Sequence, residues 1–306
     1  MKKVSIVLPV YNGEGSIDDA IKSVVNQTYN NIELIIVNDC STDNTKSIME
    51  NWARRDNRIR VVNNGTNQKL PRSLNNGFAM ATGEYLTWTS DDNKYHPDAI
   101  ETMVKYLDDN PQVDFVYTDF SIVNMDGSLR EEMKKPEPDE MVYINPVGAC
   151  FLYKKELADR IGVYDPDMFL AEDYEYWIRA YLDGNMVHLK KNLYDYGWHD
   201  KSLTATRRNE IRLQTYRAKA AHEEELIAYC NNQNDRNTFY WEQLSLIDDK
   251  KMYNSVRRGY YLKDKGFKSK DLMRRFKSSF YRIITAPKSI VEKGYHKIFI
   301  ESSLQK

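Results

Sequence analysis

The chain has 306 residues, 41% of them apolar and 29% charged, with a net charge of −1. That balance suits a folded chain with a substantial core and excludes a general electrostatic affinity for nucleic acid. No apolar run approaches the roughly 18–20 residues of a membrane-spanning helix.

The charge is unevenly spread. Residues 250–306 carry 16 Lys/Arg against 4 Asp/Glu, which leaves 28 against 41 in residues 1–249. An acidic body with a basic tail points to a surface or partner for the tail. Cys40, Cys150 and Cys230 have no metal-binding spacing and cannot all pair, which fits a reducing cytoplasm.

Elements alternate through the first 120 residues. "KVSIVLPV" is a β-branched run, read as a first strand rather than a signal peptide because Pro9 interrupts it and no small-residue cleavage site follows. "SIDDAIKSVVNQ" spaces Ile17, Ile21, Val24 and Val25 as a helix, with Ser16 and Asp19 as a capping pair. "IELIIVND" is a second strand, "TDNTKSIMENWARR" a helix and "RIRVVNN" a third strand. "KLPRSLNNGFAMAT" is a helix ending at Gly83, and "EYLTWTS" a fourth strand. "PDAIETMVKYLDDN" is a helix with Pro97 near its first turn, and "VDFVYTDFSIV" a fifth strand.

Beyond these, Glu131–Met141 reads as a charged, proline-bearing loop and "MVHLKKNLYDYGW" as a strand. Helix-like segments dominate from about Ser202. Alternating strands and helices imply an α/β fold, with a mostly parallel sheet covered by helices on both faces. Ligands of such sheets bind beyond the carboxyl ends of the strands. Tyr11, Asp39, Asp91 and Asp92 all fall at or just after strand ends, so one rim should gather them.

Adjacent carboxylates repel, so Asp91 and Asp92 either sit idle in solvent or meet a cation. A third strand-end carboxylate, Asp39, favours a hard divalent ion such as Mg²⁺ or Mn²⁺ shared with substrate phosphates. No glycine-rich phosphate loop is present, so phosphates would need a metal and a Lys or Arg. Ser41, Thr42 and Asp43 suffice to cap the second helix, which frees Asp39 to accept a hydrogen bond from a base or ribose. In "FLAEDYEYWIR", Glu172 and Asp173 either complement a helix dipole or place a general base at the cleft. His199 is either a surface histidine or a ligand to the same metal or diphosphate.

These segments resemble the family 2, GT-A-fold inverting glycosyltransferases over about Lys3 to Thr204. "VSIVLPVYNGEGSIDDAIKSVVNQTYNNIELIIVNDCSTDNT" is similar to their opening and "ATGEYLTWTSDDNKYHPDAI" to their metal segment. "FLAEDYEYWIR" and "WHDKSLT" are similar to their later motifs. "SDDNKYHPD" is closest to the spore-coat SpsA-like type.

The resemblance implies a GT-A catalytic domain over residues 1–204 and a helical, basic region over 205–306. It implies sugar transfer, with inversion, from a nucleotide diphosphate donor, with UDP favoured, to a hydroxyl acceptor in cell-surface polysaccharide or glycolipid synthesis. Pro9, Tyr11 and Asp39 would hold the base, Asp39 facing uracil, and Asp91 the ribose. Asp92 and His199 would hold Mn²⁺ or Mg²⁺ on the diphosphate. Asp173 would be the base, with Glu172 beside it.

Two positions depart from the pattern. Thr89 stands where many members have the first Asp of the metal segment, and Leu74 where many have Arg; the resemblance to the SpsA-like type gives the diphosphate role to Lys69, with Arg72 as the alternative. A sugar-nucleotide nucleotidyltransferase would show a glycine-rich, arginine-bearing first loop, which "PVYNGEGSI" is not. A non-catalytic binding module would not need Asp173 and His199. The basic tail suggests peripheral contact with anionic lipid on the inner membrane face.

Overall fold

The structure, a computed structural model, describes residues 1–285, with side chains to residue 275. The chain divides into two compact units, Met1–Tyr229 and a second from Cys230 onward.

In the first unit, β1 (Val4–Val10), α1 (Ile17–Val25), β2 (Ile32–Asn38), α2 (Thr45–Arg55), β3 (Ile59–Asn63), α3 (Lys69–Phe78) and β4 (Tyr85–Trp88) alternate as the apolar periodicity predicts. β1 and β2 are buried along their whole length, which explains why Val, Ile and Leu dominate them. β5 (Lys94–Tyr95), α4 (Ala99–Asp109), β6 (Phe115–Asn124), β7 (Leu129–Met133), β8 (Phe151–Lys154), α5 (Lys155–Ile161), α6 (Glu172–Asp183) and β9 (Met186–Trp198) follow. The unit closes with α7 (Leu203–Thr206), α8 (Arg208–Ala221) and α9 (Glu223–Ala228).

This unit runs past the expected boundary after Thr204 because side chains tie α8 and the residue after it to the body. His222 lies 3.1 Å from Glu175 of α6, and buried Lys219 donates to the Tyr143 carbonyl at 2.8 Å. The region expected to be a loop, Glu131–Met141, instead enters as the exposed edge strand β7 and continues into a 3₁₀ turn over Pro138–Val142. β7 pairs with β6 without any alternation of apolar residues, which hides it from a periodicity reading. α3 stops at Phe78 rather than Gly83. Gly83 serves a close approach, since a Cβ there would lie 2.7 Å from the Lys3 carbonyl oxygen.

The strand order is β3-β2-β1-β4-β8-β6-β9-β5, with β7 on β6. β3, β2, β1 and β4 are parallel. β8 is antiparallel to both β4 and β6, and β6 is parallel to β9. The sheet is therefore mixed beyond β4. Two antiparallel steps restore the starting direction, so the carboxyl ends of β1, β2, β4 and β9 all lie on one rim.

The second unit holds α10 (Gln233–Ser245), α11 (Lys250–Lys263) and α12 (Lys265–Thr285). Asn232 and Asp249 cap α10 and α11 through their side chains. Tyr240 packs on Tyr260 and Phe267 with ring centroids 4.5 and 4.8 Å apart. The basic stretch expected over 250–306 lies outside the described residues beyond Thr285. Among the described residues no helix is long and apolar enough to cross a membrane. Among the described residues no disulfide forms.

Candidate active site

In-register pairing of Val10 with Asn38 places Tyr11 and Asp39 side by side beyond β1 and β2. Tyr11 is 52% exposed, whereas Pro9 is buried within β1 opposite Val37. Asp39 does not cap α2; Asp43 accepts from the Thr45 N–H at 3.0 Å instead. Asp39 accepts from the N–H groups of Gln68 (2.7 Å) and Lys69 (2.9 Å) and from Asn64 Nδ2 (2.9 Å). It thereby fixes the loop that opens α3 and the backbone of exposed Lys69.

Asp91 and Asp92 follow β4 on the same rim. Ser16 does not cap α1; its hydroxyl donates to Asp91 Oδ2 at 3.1 Å. Burial, then the charge of Asp92, pushes the Asp91 carboxyl up to about 6. Asp92 is also pushed up by burial, while His199 pulls the other way. Gly13 packs flush against Asp91, since a Cβ there would meet Asp91 Oδ2 at 2.2 Å.

β5 pairs antiparallel with β9, Lys94 against Asp195 and Tyr95 against Tyr194. Asn93 accepts from the Gly197 N–H at 2.9 Å, and a Cβ on Gly197 would meet the Asp92 carbonyl at 2.1 Å. This clamp brings His199 Nε2 to 3.1 Å from Asp92 Oδ2 across a separation of 107 residues.

Asp92 and His199 thus offer one carboxylate and one imidazole. Among the described residues, no Lys or Arg pairs with Asp91 or Asp92. Mg²⁺ and Mn²⁺ use few protein ligands and take the rest from water and substrate phosphate. Among the described residues no group of three His, Cys, Asp or Glu side chains could hold an ion alone. The residues present fit a cation that arrives with a diphosphate.

Glu172 and Asp173 open α6, whose position is set by aromatic packing. Fully buried Trp177 meets Phe151 and Phe115 edge-on, with centroids 4.5 and 5.0 Å apart. Glu172 is buried and accepts from the Leu170 N–H at 2.7 Å. Burial, then the charge of Asp173, raises Glu172 to about 8. Burial also raises Asp173, whose Oδ2 accepts from Asn145 Nδ2 at 3.3 Å. Burial pushes the Tyr196 hydroxyl up, Thr204 Oγ1 at 3.4 Å opposes that shift, and the charges of Asp92 and Asp173 add to it.

Four non-glycine residues have left-handed backbones among the described residues: Asn12 (φ 56°), Cys40 (65°), Lys69 (69°) and Leu170 (79°). Each is, or lies within two residues of, a candidate side chain, and such backbone outliers concentrate at functional sites. Sequence reasoning missed Ser16 as a partner of Asp91, and it missed Asn145, Lys135 and Tyr196. Their only signal was position near a motif, as with Tyr196 in "YDYGWHD".

The pattern of glycosyl transferase family 2 matches residues 5–173. The chain is similar to an uncharacterized glycosyltransferase of Haemophilus influenzae, 27% identical over 74% of each chain. It is also similar to the putative teichuronic acid biosynthesis glycosyltransferase TuaG of Bacillus subtilis, 26% identical over 64% of this chain and 76% of that one. S. aureus TarS 1-349, crystallised with UDP, shares the fold with a TM-score of 0.60 and 18% identity, over 90% of this chain and 92% of that one. The mannosyltransferase PcManGT of Pyrobaculum calidifontis, in complex with GDP-Man and Mn²⁺, gives 0.59 and 19%, over 90% and 84%.

Proposed function

The chain belongs to glycosyl transferase family 2, and we propose on that footing that this glycosyltransferase moves a sugar, with inversion, from a nucleotide diphosphate to a hydroxyl acceptor. The observation that carries the reading is the Asp92–His199 pair at 3.1 Å.

Tyr11 offers the donor base an exposed ring, and Pro9 shapes the strand end beneath it. Asp39 already accepts three hydrogen bonds; a carboxylate has about four acceptor sites, which leaves one for the N–H of a uracil-like base. That match, with UDP present in the TarS crystals, favours a UDP-sugar. Asp91 takes a ribose hydroxyl. Lys69 reaches toward the diphosphate from the start of α3.

Asp92 and His199 would hold Mn²⁺ or Mg²⁺, which supplies Lewis-acid stabilisation of the leaving diphosphate when bound. Burial raises both Glu172, to about 8, and Asp173; in this reading Glu172 holds the proton of the buried pair and Asp173 is the member that acts as base. Two carboxyl groups whose environments separate their proton affinities divide acid and base roles in this way. Asp173 removes the acceptor hydroxyl proton, and the oxygen attacks the anomeric carbon opposite the leaving diphosphate. The carbon–oxygen bond to the donor phosphate breaks as the new one forms, so the anomeric configuration inverts.

The acceptor belongs to cell-surface polysaccharide or glycolipid synthesis, in line with the relative named for teichuronic acid. The basic surplus of residues 250–306 extends the proposal to peripheral contact with anionic lipid. Failure to co-sediment with anionic vesicles at low salt removes that extension. A screen of nucleotide sugars with Mn²⁺ tests the reaction. Release of nucleotide diphosphate from a UDP-sugar is expected, and no release from any donor contradicts it.

A further inference from the structure

We propose that Lys135 is a positioning residue for the acceptor-side base, seated by the Asp119–His188 pair so that its ammonium keeps Asp173 ionised. The inference rests on the assignment of Asp173 as the base.

Lys135 follows β7 and is held at both ends. Its backbone N–H donates to Asp119 Oδ1 at 2.8 Å, and His188 Nε2 lies 2.8 Å from the same oxygen. The His188 side chain is 2% exposed and its ring stacks on Tyr117 with centroids 5.0 Å apart. His188 Nδ1 is buried without a hydrogen-bond partner. A buried orphan N–H costs more than a buried orphan acceptor, so the proton sits on Nε2 and the pair braces Asp119.

At the other end, Lys135 Nζ lies 3.5 Å from the Asn145 carbonyl oxygen and 5.6 Å from the centre of the Phe120 ring. The Asn145 side chain donates to Asp173 at 3.3 Å. One residue therefore touches both the ammonium and the base. Gly148 (φ 73°) keeps the space open, since a Cβ there would lie 2.6 Å from Phe120 Cε1 and 3.3 Å from Lys135 Nζ. Among the described residues the ammonium makes no ion pair with a carboxylate, so its field is shared between Asp119 and Asp173. Burial lowers Lys135, and Asp173 is the first charge that opposes that shift. The titratable groups facing Asp173 are Glu172 and Tyr174 on α6, Tyr164 from the loop after α5, Tyr196 on β9 and Lys135. Lys135 is the cation among them.

The test is the pH profile of kcat/KM for wild type, Lys135→Gln, Lys135→Arg and Asp173→Asn. Loss of a nearby opposite charge raises a carboxyl's proton affinity. In Lys135→Gln the acidic limb should move up by about one pH unit, a loss of about tenfold on the limb. Activity should return at high pH, with donor KM within about twofold of wild type. Lys135→Arg should restore the limb. If Lys135→Gln fails to fold, Lys135→Met, which keeps the length of the buried stem and drops the charge, should move the limb in the same direction. A limb that Asp173→Asn removes but Lys135→Gln leaves in place would overturn the role of Lys135 alone. The same fold loss at every pH would also overturn it. Near-wild-type turnover of Asp173→Asn would instead overturn the base assignment.

Discussion

The side of the rim proposed to hold the donor and the side proposed to face the acceptor are built from different materials. Tyr11, Asp39, Asp91 and Asp92 follow the ends of adjacent parallel strands, and Asp39 is held largely by backbone N–H groups. Glu172 and Asp173 start a helix wedged by aromatic packing, beneath side chains that come from distant loops. The first arrangement fixes where a ligand sits. The second shifts how strongly protons are held, because buried side chains replace water around the carboxyl groups. Under the proposed reading, binding and proton transfer fall to separate constructions, and each can be damaged without the other.

The sharpest separation comes from Asp173→Asn. It keeps the shape and removes the proposed base, so turnover should fall by about 10²–10⁴ while the dissociation constant for UDP changes by less than about threefold. Single-turnover kinetics beside calorimetric titration of UDP checks both numbers. A parallel loss of UDP affinity would break the division between the two sides.

Asp39→Ala is the converse. It strips three hydrogen bonds from the loop that opens α3, one of them from buried Asn64, and a buried donor left without a partner costs about 1–3 kcal/mol. UDP affinity should fall by tenfold or more, and the urea midpoint should drop, while the pH profile of residual turnover keeps its acidic limb. A moved limb would show that the halves are coupled.

A smaller effect concerns Glu172. Its proton affinity in the folded chain, about 8, lies above the usual 4.5. Between roughly pH 4.5 and 8 the folded chain therefore binds more protons than the unfolded one, and stability falls as pH rises through that window. Glu172→Gln mimics the protonated form. It should raise stability by about 1–3 kcal/mol at pH 8.5 and change it little at pH 4.5. Thermal unfolding at the two pH values checks this; equal shifts at both would mean that burial does not hold the proton on Glu172.

The same contrast decides what was legible in the sequence. Strands β1, β2 and β4 are mostly apolar, β-branched and aromatic runs, so their ends, and the residues just past them, can be placed from the residue pattern alone. β9 was legible as a strand over "MVHLKKNLYDYGW", but its return to the same rim depends on two antiparallel steps through β8 that no local pattern encodes. β7 was hidden because an exposed, charged edge strand lacks alternation. Ser16 carried a capping signature that its hydroxyl does not use, since Asp91 competes for it. Asn145, Lys135 and Tyr196 act through contacts or fields across long stretches of chain, and residue type alone does not announce such contacts.

The most direct test is calorimetric titration of UDP into wild type and Asp92→Ala, each with and without Mn²⁺. Ligand loss at a metal site of this kind typically costs at least tenfold in affinity. Mn²⁺ should tighten UDP binding by at least about tenfold in wild type and leave the variant unchanged. Equal UDP affinity under all four conditions would contradict a cation held by Asp92 and His199 on the donor diphosphate.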